Sequence, residues 1–525
     1  MELFYIYSAL FLVAASSLFS LCFQFQMLQQ NSYYASRYFK WIKNSFAVTS
    51  VILSLLYFAL TFLFTAKLYK YFFIFAAVLF FVRLFLMIRR TKKSIKPIVF
   101  TARVKRLFAA ALLVFILLTL LFALKKQNIS GQMAMLIILL LSSLTPLLCF
   151  LSLLICSPVE KAFNRYYIND AKKILKSQKG LIVIGITGSY GKTTTKFILN
   201  RILSEKYNTV CTPKSFNTTL GVVRTIRENI KPETQVFICE MGAKKKNDIK
   251  EICDIVNPKY GIITSVGEQH LETFKTLDNV FSTKFELLDS VEKNGGVCLA
   301  SLDSPAICDR AGKKPHALYI GKGTNYYTSD IKSSPLGSEF VLNIKDKRLP
   351  LRTKLLGAHS ISDIMAAALL SNILGVSDND IIGAVASLTP HEHRLQLKSY
   401  INGSTLLDDA YNSNPVGSTE ALRVLGSFEG MRKTVITPGM IELGDMEYEA
   451  NFNLGKACAE NADDIILVGK NYTKPIADAI NETNFNTERL HFVSSFKEGL
   501  DIFLKYADKN SVLLIENDLP DNYLK

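Results

Sequence analysis

The stretch GITGSYGKTTTK, residues 185–196, follows the apolar run LIVI and precedes the helix-like FILNRIL. A strand, a glycine-rich turn and a helix in that order predict a phosphate cradle, because glycines let backbone N–H groups crowd an anion at a helix N-terminus. Gly188, Ser189, Tyr190 and Gly191 make the turn, Lys192 supplies charge for the terminal phosphates, and Thr193 offers a hydroxyl to Mg²⁺. The chain is therefore expected to bind ATP or GTP. The spacing is a variant one: where the widespread P-loop has its first glycine, this chain has Ile186, and the glycines fall at 185, 188 and 191.

Working outward, the 525 residues leave room for three or more domains, and their apolar fraction of 49% suggests that part of the chain lives in lipid. The net charge of +16 resembles a nucleic-acid signal until it is located. Residues 1–180 hold 22 Lys and Arg against 3 Asp and Glu, a net +19, and residues 181–525 carry a net −3. The basicity belongs to the N-terminal part, and no nucleic-acid partner is expected.

That part has apolar stretches near 3–25, 46–66, 71–88, 108–124 and 134–156, each close to the length of about 20 residues that crosses a bilayer as a helix. Five spans are expected over residues 1–157, in place of a cleavable signal peptide, which would need a basic start. The cations between Arg89 and Arg106 place that loop, and everything after residue 157, in the cytoplasm. Arg83 reads as a snorkelling residue. Residues 158–179 form a basic juxtamembrane linker that lies on anionic headgroups or is simply solvated. The expected setting is thus a multi-pass protein of the cytoplasmic membrane with membrane lipid as a partner. The nine cysteines form no CxxC pair and read as reduced core residues.

From residue 180 onward, strand-length apolar runs alternate with helix-like segments, the pattern of α/β layers on a largely parallel sheet. LIVIGI, TQVFICE and YGIITSV are the strands of a first domain at 180–390. STLLDDA, RKTVITP, ADDIILVG, RLHFV and SVLLIEN are those of a second, Rossmann-like domain at 391–525. TQVFICE ends in Glu240, and a carboxylate at the end of a buried strand beside a phosphate loop is placed to hold Mg²⁺. YGIITSV runs on into GEQHLETF, which brings His270 to the same sheet edge, and FSTKFELL carries Lys284. From local sequence alone Lys284 is a surface lysine.

At these residues the chain resembles the Mur ligases, and within them the MurF branch. The matching motifs, in family order, are GITGSYGKTT at the loop, SFNTTLGV at 215–222, CEMGA at 239–243, GEQHLETF at 267–274, TKFELL at 283–288, GAHSISD at 357–363, HRL at 393–395, DDAYNSNP at 408–415 and MIELG at 440–444. The resemblance implies an ATP-dependent carboxylate–amine ligase acting through an acyl phosphate, with ATP and Mg²⁺ as cofactors. It implies that Lys192 neutralises the β- and γ-phosphates and that Thr193 and Thr194 give hydroxyls to phosphate and metal. Glu240 and His270 would hold metal ions, and Lys284 would be carbamylated into a further Mg²⁺ ligand. Asn217, Thr218 and Thr219 would face the peptide substrate. Arg394 would reach ATP from the interdomain hinge, and Asp409 and Asn412 would lie near the nucleotide. Lys192, Lys284, Arg394 and His270 are the implied catalytic residues.

The implied substrates are a muramoyl peptide and an amino acid or dipeptide, with D-Ala-D-Ala joined to a muramoyl tripeptide in peptidoglycan precursor synthesis, and other wall-precursor enzymes as possible partners. A lipid-linked or polyglutamate-like acceptor, and a nucleotide-regulated transporter or scaffold, are the alternatives. The chain departs from the family at Ser360, Asp363 and Ser301, where asparagines are usual, which bears on nucleotide contacts. Glu516 and Asp518 put acid where base is usual. His391 and His393 form an HxH without a completed ligand set.

Overall fold

The computed structural model describes residues 18–31, 33–44, 81, 85, 97–124, 144–267, 271–390, 393–410, 414–441, 443, 446–469 and 472–517. The chain divides into two compact units, Met1–Tyr166 and Tyr167–Lys525.

The first unit is helical where it is described, with helices Ala35–Asn44 and Ala102–Leu124 and the start of a long helix, Thr145–Ser177. Its core gathers Leu21, Phe25, Leu28, Tyr38, Leu107 and Cys149, and the Tyr38 hydroxyl donates to Gln24 Oε1 at 2.7 Å. Glu160 accepts from Arg106 at 2.8 Å.

The five-span, multi-pass expectation is corrected here. Among the described residues one helix, Thr145–Ser177, is long and apolar enough to cross a membrane, and 28% of its apolar window is buried inside the protein. It also carries Pro158, Glu160 and, further on, Asp170. A single helix of this kind is weak evidence for a membrane span, and among the described residues no second helix meets the same length and composition test. Placement in the cytoplasmic membrane as a multi-pass protein is corrected with it, and a lipid partner is not shown. Most of 3–25, 46–66 and 71–88, Arg83 included, and residues 134–143 lie outside the described residues.

Among its described residues the second unit holds three sheets. The first is built from β1 (Ile182–Thr187), α1 (Lys192–Leu203), β2 (Thr209–Cys211), α2 (Thr219–Asn229), β3 (Val236–Glu240), α3 (Asp248–Val256), β4 (Tyr260–Ile263), α4 (Leu277–Lys293), β5 (Val297–Ser301) and β6 (Leu318–Ile320). The strands run parallel in the order β2-β3-β1-β4-β5-β6. Strands covered on both faces need apolar residues at every position, and β3 (VFICE) is buried throughout. Alternation still sorts the two faces: Ile184, Ile186, Val236 and Ile238 join the layer of α1, while Val183, Phe237 and Cys239 join that of α4 with Phe285 and Leu288.

An antiparallel meander follows, β7 (Tyr326–Ser334), β8 (Gly337–Ile344) and β9 (Lys347–Thr353), then α5 (Ala358–Ile373) and α6 (Asp378–Ala386). The final sheet comprises β10 (Gln396–Ser399), β11 (Thr405–Asp409), α7 (Pro415–Gly426), β12 (Arg432–Thr437), α8 (Glu447–Asn461), β13 (Asp464–Val468), α9 (Lys474–Asn481), β14 (Leu490–Val493), α10 (Phe496–Leu504) and β15 (Ser511–Glu516). Its order is β10-β11-β15-β12-β13-β14, parallel except for β10. Helix starts follow local chemistry: Thr218 caps α2 by accepting from Gly221 N at 3.3 Å, and Asn414 caps α7 by accepting from Gly417 N at 3.0 Å, with Pro415 at the first helical position.

Both sheets are α/β, as expected. In the first, β1 has β3 on one side and β4 on the other, so the chain leaves in opposite directions on either side of it. Such a switch point opens a crevice beyond the carboxyl ends of the strands, and the loop 188–191 lies there.

Candidate active site

Register brings the site together. Ile186 of β1 pairs with Glu240 of β3, and Thr187 pairs with Ile263 of β4, so the glycine-rich loop, Glu240 and the segment after β4 share one sheet edge. The loop is laced to that segment: Ser189 N donates to Ser265 O at 2.8 Å, Tyr190 N to Ser265 Oγ at 2.9 Å, and Ser189 Oγ to Gly267 O at 3.1 Å. Gly191 sits at φ 81°, where a Cβ would come within 2.6 Å of Asp363 Oδ1, and a Cβ at Gly188 would collide with Thr264 Oγ1. Only glycine keeps the backbone this close.

Gly191 caps α1 with no side-chain hydrogen bond, so the first-turn N–H groups remain free of a side-chain cap and favour an anion. Lys192, half-buried, folds back on the loop and donates from Nζ to Gly188 O at 2.7 Å and Ser189 O at 2.8 Å. Burial and, secondarily, the Arg394 charge lower its pKa to about 8 against the opposing pull of Glu240.

Glu240 is fully buried and takes four side-chain contacts. Thr193 Oγ1 donates within 3.1 Å of both its oxygens, Asn217 Nδ2 donates to Oε1 at 3.0 Å, and Lys196 Nζ donates to Oε2 at 2.9 Å. Burial alone would raise its pKa, and the combined pull of Lys196, Lys192 and Asn217 outweighs burial and holds it below the ordinary value. Lys284 in α4 is 2% exposed. Burial first, then the Lys192 charge, drives its pKa well below that of a free lysine, although Asp248 and Glu286 oppose the drop. The surface-lysine reading from local sequence is thereby corrected: position 284 falls on the face of α4 that carries Val280, Phe281, Leu287 and Leu288.

Oxygen ligands suit Mg²⁺. The Thr193 hydroxyl and the ionised Glu240 carboxylate converge, and both fit that ion. Among the described residues no group of three His, Cys, Asp or Glu gathers as a metal cluster. His270 lies outside the described residues, as do Asn412 and His391. The uncapped first turn of α1, the glycine cradle and Lys192 fit a nucleotide triphosphate.

From the last domain comes Arg394, whose charge acts on Lys192, Asp363 and Asp409. It sits between two left-handed residues, His393 at φ 58° and Leu395 at φ 45°, a strained arrangement held by flanking contacts. Leu395 N donates to Asp409 Oδ1 at 2.9 Å, and His393 Nδ1 lies 2.9 Å from Asp408 Oδ2. Burial pushes Asp409 up. Glu516, where the family usually has a basic residue, is the buried last residue of β15, opposite Asp409.

Asn217 and Thr218 lie at the start of α2, with the Thr218 hydroxyl spent on the cap and Asn217 O accepting from Gly242 N at 2.7 Å. Thr194 and Thr219 are half-buried at the starts of α1 and α2. Two residues escaped the reading of the sequence. Lys196 is fully buried and also donates to Lys214 O; its signal was its place on the stripe Ile198, Leu199, Ile202 and Leu203 of α1. Asp363, read only as a departure, accepts from Thr195 Oγ1 at 2.8 Å, and its Oδ2 has no hydrogen-bond partner among the described residues. Burial raises its pKa to about 7.

Comparison with known proteins gives the family. The Mur ligase middle domain matches residues 186–371, and the Mur ligase glutamate ligase domain matches residues 393–516. The UDP-N-acetylmuramoyl-tripeptide–D-alanyl-D-alanine ligase of Bacillus subtilis is 26% identical over 350 residues, covering 66% of this chain and 76% of that protein. Among solved structures, MurF from Acinetobacter baumannii superposes with a TM-score of 0.61 at 24% identity, covering 69% of this chain and 78% of that one. The MurF ligase from Thermotoga maritima in complex with ADP gives a TM-score of 0.60 at 22% identity over 69% and 81%. These structures share the fold. The chain belongs to the Mur ligase family and is an ATP-dependent ligase of the kind that joins an acid to an amino acid or peptide through a C–N bond.

Proposed function

We propose that this protein joins D-Ala-D-Ala to the terminal carboxylate of a muramoyl tripeptide in peptidoglycan precursor synthesis. The observation that carries the proposal is the convergence on Glu240: Thr193 from the phosphate loop and Asn217 from the acceptor-facing segment donate to the same buried carboxylate. With Asn217 facing the acceptor, as the resemblance implies, the phosphate and acceptor sites would adjoin at this carboxylate. The name of the Bacillus subtilis relative supports the choice of substrates.

A carboxylate is a poor electrophile, so one of its oxygens attacks the γ-phosphorus of ATP, the bond to the bridging oxygen breaks, and ADP leaves. The amine of the dipeptide then attacks the acyl carbon. Phosphate departs with an oxygen of the original carboxylate, and the amine loses a proton. Charge grows on phosphoryl oxygens throughout, and Lys192, Arg394 and the first-turn N–H groups of α1 stabilise it from fixed positions. Thr193 and Glu240 would hold Mg²⁺, together with His270, and the ion would supply further charge stabilisation when bound. Lys284, with its lowered pKa, offers a neutral amine to CO₂; loss of a proton leaves a carbamate, an added oxygen ligand in a buried site. Arg394 belongs to the last domain, so closure of the domains would complete the site.

The test is phosphate release by the purified protein with ATP, Mg²⁺, D-Ala-D-Ala and muramoyl tripeptides. Release that requires both the tripeptide and the dipeptide is expected. Release indifferent to either would overturn the proposal.

A further inference from the structure

Each residue beside Arg394 is tied to its own carboxylate at the end of β11. His393 Nδ1 lies 2.9 Å from Asp408 Oδ2 and 3.1 Å from Oδ1, and, since an ionised carboxylate only accepts, the imidazole is the donor. Leu395 N donates to Asp409 Oδ1 at 2.9 Å. Asp408 and Asp409 are neighbours on one strand, so their side chains leave opposite faces of the sheet and the turn is gripped from both. Asp408 is itself fixed: it is buried, and Lys398 of the adjoining strand β10 donates from Nζ to its Oδ2 at 2.8 Å. Burial would raise its pKa, and the hydrogen bonds from Lys398 and His393 outweigh burial and hold it below the ordinary carboxylate value.

What these ties hold is a costly backbone. His393 at φ 58° and Leu395 at φ 45° are both left-handed, a region that residues with a Cβ visit rarely. Leu395 has a second hold, because its side chain is buried in one core cluster with Leu356 and Leu407. The His393 side chain is 54% exposed, so burial adds little and the Asp408 carboxylate supplies the hold. Arg394 is the residue that a relaxed turn would displace, since a return of His393 to extended φ redirects the chain immediately before it. Its charge acts on Lys192 of α1, on His359 and Asp363 of α5 and on Asp409 of β11. A cation stabilises charge developing at one point only if it is kept aimed there.

We infer that His393 and Asp408 are positioning residues, whose contact holds the left-handed turn that aims Arg394 at the phosphoryl group in transfer. The inference rests on the ligase reading above for that group. It assigns His393 and Asp408 to Arg394 rather than to the reacting atoms.

The test sets full-length His393→Ala, His393→Gly, Asp408→Asn, Arg394→Ala and His393→Ala/Arg394→Ala against the wild type, with thermal unfolding to confirm that each is folded. His393→Ala loses the carboxylate contact and keeps a Cβ at a left-handed position. Its kcat should fall about tenfold and its Kd for ATP, read by calorimetry, should rise about tenfold, with the KM values for tripeptide and D-Ala-D-Ala unchanged. Asp408→Asn, which weakens the same contact from its other end, should shift both in the same direction. His393→Gly should recover most of each, because glycine holds a left-handed φ without strain. Once Arg394 is alanine, His393→Ala should change neither kcat nor the Kd for ATP further, since the side chain it aims is gone. Equal losses with and without Arg394 would mark a merely structural contact and overturn the inference. So would wild-type ATP affinity and kcat in His393→Ala or Asp408→Asn, or a glycine variant as impaired as the alanine one. Absence of ligation by the wild type, with ATP affinities that still follow this pattern, would sink the ligase reading and keep the positioning role.

Discussion

Lys196 and Glu240 form an ion pair at 2.9 Å in which neither side chain is more than 1% exposed. Two ions taken wholly out of water are tolerated only when each is paired and hydrogen-bonded, and here Thr193, Asn217 and Lys214 O complete the set. The pair fixes the direction of the carboxylate beside the phosphate loop and the start of α2.

Lys196→Met leaves Glu240 buried without its counter-ion. Breaking a buried pair costs about 3–5 kcal/mol, and denaturant titration should show a loss of that size. Thr193→Ala, which removes one donor to the charged carboxylate, should cost less, about 1.5–3 kcal/mol.

Asp363 gives stability a distinct pH dependence. Its native pKa, raised to about 7 by burial, exceeds the unfolded value of about 3.9, so the native state binds more protons. Stability therefore falls as pH rises from about 4 to about 7, by up to about 4 kcal/mol if the full shift is expressed. Asp363→Asn should flatten that fall in thermal or chemical unfolding followed across pH.

Gly191→Ala forces a Cβ to within 2.6 Å of Asp363 Oδ1 at a left-handed φ of 81°. A strained position of this kind costs about 1–3 kcal/mol. ATP binding, read by calorimetry, should weaken more than tenfold because the first turn of α1 is displaced.

Lys284→Ala removes the buried amine that would carry the carbamate. Turnover should drop by about 10²–10³, the usual loss on deleting one fixed electrostatic stabiliser. Added small carboxylates should restore part of it, and failure of every such rescue would count against the carbamate assignment.

The α/β layers of the last 345 residues were legible because doubly covered strands write continuous apolar runs and helices between them write periodic ones. The phosphate loop was legible for a different reason: close backbone approach admits few residue types, and Gly188 and Gly191 sit where a Cβ would collide. Short elements were not readable. Strand β2 has three residues and depends on its pairing with β3 rather than on its own pattern. The environment of Lys284 was equally hidden, since burial of one lysine depends on what packs over α4. The five-span count came from hydropathy alone, and among the described residues one helix, Thr145–Ser177, meets the length and composition test for a span.

On the proposed route ATP phosphorylates the acceptor carboxylate before the amine arrives. Labelling that carboxylate with ¹⁸O and analysing the released phosphate by mass spectrometry tests it directly. One labelled oxygen in each phosphate is the predicted result, because the leaving group carries the carboxylate oxygen away. Unlabelled phosphate, released alongside ligated product, would rule out an acyl phosphate.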